Sequence, residues 1–195
     1  MSSCRRQISK RFQCVALILA IQLLGACSES SSPTEPSGTG GRILTVSFVA
    51  QQTPVWCWAA VSEMVFRYYG RGATQCQILS GWFGANCCSS PGSCQTTGSI
   101  PAIQQTLLAF GGISSSYFPG PLTLQAVASE IDGGRPIIAA YRGSFSGHVV
   151  VIYGYDPAGN LYIHDPFYGS FVVPYAASFT YGGQLVWAET IYGIR

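Results

Sequence analysis

The chain has 195 residues, of which 48% are hydrophobic and only 9% charged, with a formal net charge of +2. That charge misleads, because Arg5, Arg6, Lys10 and Arg11 crowd the N-terminus; from Ser28 onward six arginines against eight carboxylates leave 6 − 8 = −2. The six arginines are scattered, which excludes the basic stripe of a nucleic-acid-binding surface, and the length beyond the leader suits one domain with one core.

The first elements in chain order are targeting signals rather than fold. The four basic residues form an n-region, and Val15 to Ala26 is an apolar run of about a dozen residues, which suits a signal h-region and is too short to span a bilayer. The run ends in Leu24-Gly25-Ala26-Cys27, which resembles the lipobox of bacterial lipoproteins, where the peptide is cut before a cysteine that then carries acyl chains. Residues 1–26 are therefore expected to leave as a signal peptide and Cys27 to hold the lipid. An ordinary cleaved signal with Cys27 incidental is the competing outcome. Residues 28–41 are Ser, Gly, Pro, Thr and two Glu with nothing apolar to bury, so 27–41 reads as anchor and flexible tether and 42–195 as the folded domain. The expected location is outside the cytoplasm. A lipid anchor places the chain on the cell envelope, at the outer membrane in a two-membrane cell because Ser28 is not an acidic retention signal; without the anchor it is secreted.

Helices come next. Cys57, Ala60, Val61, Met64, Val65 and Tyr68 recur at i, i+3, i+4, i+7, i+8 and i+11, one apolar helical face closed by Gly70. A short helix is expected over Thr74 to Trp82. A third runs from Ser99 as N-cap to Phe110, with Ile100, Ile103, Leu107 and Phe110 inward and Gly111-Gly112 ending it. A fourth follows Thr123 to Ile131 and stops at Gly133-Gly134. Between the second and third lie Cys76, Cys87, Cys88 and Cys94. An even number of cysteines in a loop-like stretch of an exported chain reads as two disulfides. A vicinal Cys87–Cys88 bond is the strained arrangement; the other two pairings stay open. A four-thiolate zinc site calls for paired Cys-x-x-Cys, which the observed spacing lacks.

From Pro136 the period changes to two. Strands are expected at Pro136–Arg142, His148–Tyr155, Asn160–Asp165, Ser170–Val173 and Leu185–Tyr192, with Asp156-Pro157-Ala158-Gly159 as a turn. Helices early and an antiparallel sheet late make an α+β domain of two halves, and a cleft between them takes Cys57 from one wall and His148 from the other.

Cysteine, then histidine, then an acidic residue is the order of a thiol hydrolase whose catalytic groups meet only in the fold. Gln51, Cys57-Trp58-Ala59, His148-Val149-Val150 and Asp165 resemble the signature of papain-like cysteine peptidases, closest to bacterial secreted or effector members and also similar to bacteriocin-leader peptidase-like domains. The Gln-x5-Cys-Trp element is specific; Gly-His-Val-Val and Asp-Pro alone are weak. The resemblance implies a papain-like fold and a Cys57–His148–Asp165 triad, although papain itself has Asn in the third place. A helix N-terminus and a neighbouring imidazolium both favour a thiolate at Cys57. The thiolate attacks a carbonyl, His148 protonates the leaving amine, and Asp165 orients the ring. Gln51 with the Cys57 amide holds the oxyanion; Gln52 is the adjacent alternative. Neighbours on a strand face opposite ways, so an even turn at 156–159 presents Asp165 to His148 and an odd one presents His164. The family pattern chooses Asp165. Trp56 and Trp58 are expected to be wall and packing residues. The implied partner is a peptide or protein substrate, with no cofactor, metal or nucleic acid, and the chain as a monomer. Acyl transfer or amide hydrolysis on a non-protein substrate, and an inactive binding module of the same fold, are the alternatives.

Overall fold

A computed structural model describes residues 40–195. The expected signal peptide, Cys27 and most of the expected tether lie outside the described residues. After a two-residue strand β1 (Arg42–Ile43), the chain enters helix α1 (Cys57–Tyr68) and leaves it through Gly70, whose φ of 65° suits a residue without a Cβ. The apolar stripe predicts one buried face, but everything from Trp58 to Phe66 is buried, Ser62 and Glu63 included. The two polar residues are satisfied internally. Ser62 Oγ donates to the Trp58 carbonyl (2.8 Å), and the Glu63 carboxylate accepts from Arg67 (2.5 Å) and from the Gln75 amide (2.9 Å). Glu63 thus ties α1 to the start of α2 (Gln75–Phe83).

Helix α2 is entered through Thr74, whose N–H is accepted by Gln77 Oε1 at 2.9 Å, and it ends at Gly84. Two disulfides staple the following segment: Cys76 to Cys88, at the helix start, and Cys87 to Cys94, at a 3-10 turn spanning Pro91–Cys94. The adjacent cysteines 87 and 88 therefore hold different partners, one of the two open pairings. Helix α3 (Ile100–Gly111) is capped by Ser99 Oγ, which accepts the Ala102 N–H at 3.3 Å. Ile100, Ile103 and Leu107 are buried as expected. Phe110 is not inward: it is 38% exposed. Its ring lies over Gly81 of α2, where an added Cβ would come within 2.5 Å of the ring, while Gly111 takes the position against Phe66.

Strand β2 (Ser116–Phe118) and helix α4 (Leu124–Asp132, capped by Thr123) precede the remaining strands, β3 (Ile137–Arg142), β4 (Gly147–Tyr155), β5 (Asn160–Asp165), β6 (Gly169–Pro174), β7 (Thr180–Tyr181) and β8 (Leu185–Tyr192). They form one antiparallel sheet in the order β2-β8-β3-β4-β5-β6, with β1 added to β4 and β7 to β8. Helices α1 and α4 pack on β4, and α3 reaches β8. The expected α+β division holds, except that β1 and β2 come from the helical part of the chain. All five expected strands are present. The three short ones, β1, β2 and β7, carry too few residues to show a period of two.

The β4–β5 hairpin decides which side chains meet the helices. Near the turn, Tyr155 pairs with Leu161 and Gly154 with Tyr162, an odd connection that by parity alone would place His164 on the face of His148. Between Ile152 and Gly154 the register slips by one, so Ile152 pairs with Ile163 and Val151 with His164. This bulge at Tyr153 restores Asp165 to the His148 face.

Candidate active site

Cys57 is the first residue of α1 and, among the described residues, the free cysteine. The helix begins without a side-chain cap: Trp56 occupies the N-cap position and offers no acceptor, and the first turn has no acidic residue. The Cys57 and Trp58 amides have no protein acceptor among the described residues, so the positive end of the helix is directed at the thiol and whatever approaches it. The preceding segment is held from two sides. Trp56 Nε1 donates to the Cys94 carbonyl (3.0 Å) and Trp58 Nε1 to that of Thr96 (3.1 Å), so the two buried tryptophans bolt the stapled loop to the helix start. The Gln51 N–H donates to the Pro166 carbonyl at 2.8 Å, tying the approach to α1 to the residue after Asp165.

His148 lies on β4 opposite Tyr141 of β3. Its Nε2 is 2.9 Å from Asp165 Oδ1, which leaves Nδ1 as the ring nitrogen for Cys57. Burial disfavours the charged ring, but hydrogen bonds to Asp165 and then to Cys57 outweigh it, and the His148 pKa is pushed up to about 9. Asp165 is fully buried. Burial works against its charge too, yet hydrogen bonds from His148 and Tyr181, helped by the Phe167 amide, hold its carboxyl below the usual carboxylate range. The Phe167 and Tyr168 amides reach Oδ1 at 2.7 and 3.1 Å, and the Tyr181 hydroxyl donates to Oδ2.

Tyr181 is the residue that sequence reasoning passes over. Besides bonding Asp165, its ring packs 5.4 Å from that of His148 and 5.3 Å from Tyr141. Among the strand tyrosines it carries no distinguishing spacing, and it reaches the site only because β7 pairs with β8. Gln51 and Gln52 are separated by the fold. Gln52 is exposed, with its N–H on Gln75 Oε1. The Gln51 side chain is half-buried, donates Nε2 to the Thr53 carbonyl at 2.8 Å and leaves Oε1 buried without a partner. It turns back along its own segment rather than lining the Cys57 cavity.

His164 lies on the opposite face. It is stacked on Tyr153 at 3.8 Å and held between Ser170 Oγ (2.7 Å) and the Val46 carbonyl (2.9 Å). Burial lowers its pKa, so it is neutral where His148 is charged.

Cys57 and His148 open onto one cavity of about 620 Å³, walled by residues 54–55, 97–98, 100 and 103 from the helical half and 140–149 from the sheet. Among the described residues no cluster of three or more His, Cys, Asp or Glu could hold a metal. A thiol at a helix N-terminus, facing an imidazole backed by a buried carboxylate, can add to a carbonyl and return the proton to the leaving group.

The sequence profile of the Peptidase_C39 like family matches residues 43–190. Several solved structures share the fold. A putative C39-like peptidase from Bacillus anthracis aligns at 14% identity and TM-score 0.54 over 80% of this chain and 98% of its own. The peptidase domain of Streptococcus ComA, a bifunctional ABC transporter, aligns at 16% identity and TM-score 0.53, over 76% of this chain and 97% of that one. A double glycine motif protease from an AMS/PCAT transporter, solved with its leader peptide, aligns at 17% identity and TM-score 0.51, over 77% and 91%. At such identities the likeness is one of fold. No curated protein matches the sequence.

Proposed function

The chain belongs to the Peptidase_C39-like family, and from that premise we propose that it is an exported cysteine peptidase acting through Cys57, His148 and Asp165. The observation that carries the reading is the His148–Asp165 pair, 2.9 Å apart, opening on the same cavity as the thiol at the start of α1. The proton of the Cys57 thiol passes to His148, which leaves an imidazolium facing a thiolate. The thiolate adds to the scissile carbonyl, His148 gives its proton to the departing amine, and a thioester remains. Water then adds to the thioester with the neutral ring as base, which regenerates the ion pair. Asp165 fixes the ring through Nε2, and Tyr181 holds the second oxygen of Asp165 so that the carboxylate cannot swing away.

The oxyanion is assigned to the Cys57 amide and to Gln51, whose side chain must first turn from the Thr53 carbonyl toward the Cys57 cavity to bring its Nε2 into reach. Each such donor contributes on the order of 3 kcal/mol to the transition state in comparable sites. Two disulfides agree with a chain that works in an oxidising compartment. The lipobox-like Cys27 adds an anchor to the cell envelope, with the peptide or protein substrate met outside the cytoplasm. Incubating purified 28–195 with a peptide library and identifying new termini by mass spectrometry tests the activity. Stoichiometric loss of activity on alkylation of Cys57 is the expected companion result, and turnover that persists after alkylation rules the mechanism out. For the anchor, intact mass of the full-length protein should show acyl chains on Cys27, and a bare cysteine there removes that part of the reading.

A further inference from the structure

Beside the Cys57 cavity lies a second one of about 430 Å³, walled by Trp58, Trp82 and Phe83. The two cavities share Thr97, Gly98 and Arg142, so one continues into the other. Trp82 and Phe83 end helix α2 and stand 41% and 46% exposed, an apolar pair left in water where a domain with this much core could have buried them. They are nevertheless held in place. Trp82 Nε1 donates to Thr106 Oγ1 at 2.9 Å, and its ring meets Trp58 edge to face at 6.3 Å. Gly98 lies flat on Trp58, where an added Cβ would come within 2.3 Å of the indole. The walls are therefore built before any ligand arrives.

Arg142 is the one arginine, and no carboxylate, among the residues lining either cavity. Its Nε donates to Glu189 Oε2 at 2.6 Å, while its Nη groups have no acceptor among the described residues. Glu189 fixes one edge of the guanidinium and leaves the other edge free, the geometry that receives a carboxylate.

We propose that the second cavity is a specificity subsite that seats a bulky aromatic side chain of the peptide, with the free edge of Arg142 pairing with an acidic residue next to it. The inference rests on the peptidase reading for its purpose, but not for its test. The full chain carrying Cys57→Ala is titrated with capped alanine-based pentapeptides bearing Phe-Asp, Asp-Phe, Phe-Lys or Ala-Asp at the centre, read by calorimetry and tryptophan emission.

At least one of the two aromatic–acidic orders should bind tightest. Replacing its Phe by Ala should weaken binding roughly thirtyfold, the worth of burying one large side chain, and Asp by Lys roughly fivefold, that of a partly exposed ion pair. Arg142→Gln should erase the Asp-over-Lys preference and keep Phe over Ala; Trp82→Ala should do the reverse. Phe83→Ala stands in if Trp82→Ala lowers the melting temperature sharply. Equal affinity for all four peptides, no saturable binding, or preferences that survive both variants overturn the subsite. Selective binding by a chain that cleaves nothing when Cys57 is restored removes the peptidase reading and leaves the subsite. Turnover without selectivity does the opposite.

Discussion

The two histidines of this chain lie on the neighbouring strands β4 and β5, both beyond the bulge as seen from the turn, and their chemistry is opposite. His148 faces α1, gains a buried carboxylate and a thiol, and is pushed up to a pKa of about 9. His164 faces the N-terminal segment, is stacked on Tyr153 and bonded to a carbonyl and a hydroxyl, and is lowered by burial. Both rings are enclosed and both are hydrogen-bonded. What differs is whether an anion waits at the ring nitrogen, because only an anion repays the desolvation of an imidazolium. The residue type supplies a titratable ring; the face of the sheet decides whether it is a charged participant or a neutral strut.

The comparison breaks most sharply at the proposed nucleophile. Cys57→Ala should remove turnover altogether, of the order of 10⁶-fold where the nucleophile is lost, with a melting temperature within a few degrees of the parent because a half-buried thiol contributes little packing. Residual turnover in that variant, measured with the library substrates, would place the chemistry elsewhere.

The histidine pair itself is next. His148→Ala should cost about 10³-fold in kcat or more, the usual worth of a positioned acid–base group, without a large change in stability. His164→Ala should keep kcat near that of the parent and instead lose about 1–3 kcal/mol of stability, since the Val46 carbonyl and the Ser170 hydroxyl lose their shared buried partner. Rates and urea unfolding on the two variants would reverse this pattern if His164 were the functional ring.

The carboxylate separates orientation from charge. Asp165→Ala should lose more activity than Asp165→Asn, which keeps an acceptor for the ring N–H and should stay within about 10²-fold of the parent. The pH profile sharpens the point. Because the folded His148 pKa is raised from 6.5 to about 9, the imidazolium and the stability it brings are complete below pH 6.5 and lost as the pH rises through 9. The alkaline limb of kcat/KM should therefore fall near pH 9 in the parent and move toward neutral pH in Asp165→Asn. An alkaline limb that does not move would mean that Asp165 does not hold the proton on His148.

Tyr181→Phe is the mildest change. It removes one hydrogen bond to a charged acceptor, about 1.5 kcal/mol, so at most about a tenfold loss of kcat, together with a small downward shift of the alkaline limb that loss of packing alone would not produce. An unchanged profile would reduce Tyr181 to a packing residue.

Much of this arrangement is legible in the sequence. The helices announce their own ends through Thr74, Ser99, Thr123 and the glycines after them, since caps and left-handed turns are local devices. The five longer strands show their period, and the order of Cys57, His148 and Asp165 with Gln51 ahead of them carries the family resemblance. Other features needed the tertiary structure because their causes are distant in the chain. The bulge at Tyr153 has no local signature, yet it settles whether Asp165 or His164 faces the cleft, since one slipped residue inverts every side chain beyond it. Phe110 lies on the helical stripe but leaves the core because Gly81 on another helix offers it a seat. Cys87 and Cys88 have equal claims on Cys76 and Cys94 until the loop is folded. Tyr181 is one tyrosine among eleven until a two-residue strand brings its hydroxyl to Asp165. Short-range periodicity can say what each segment is; only the register between strands and the packing of loop on helix, which depend on contacts across the whole chain, decide which side chains meet.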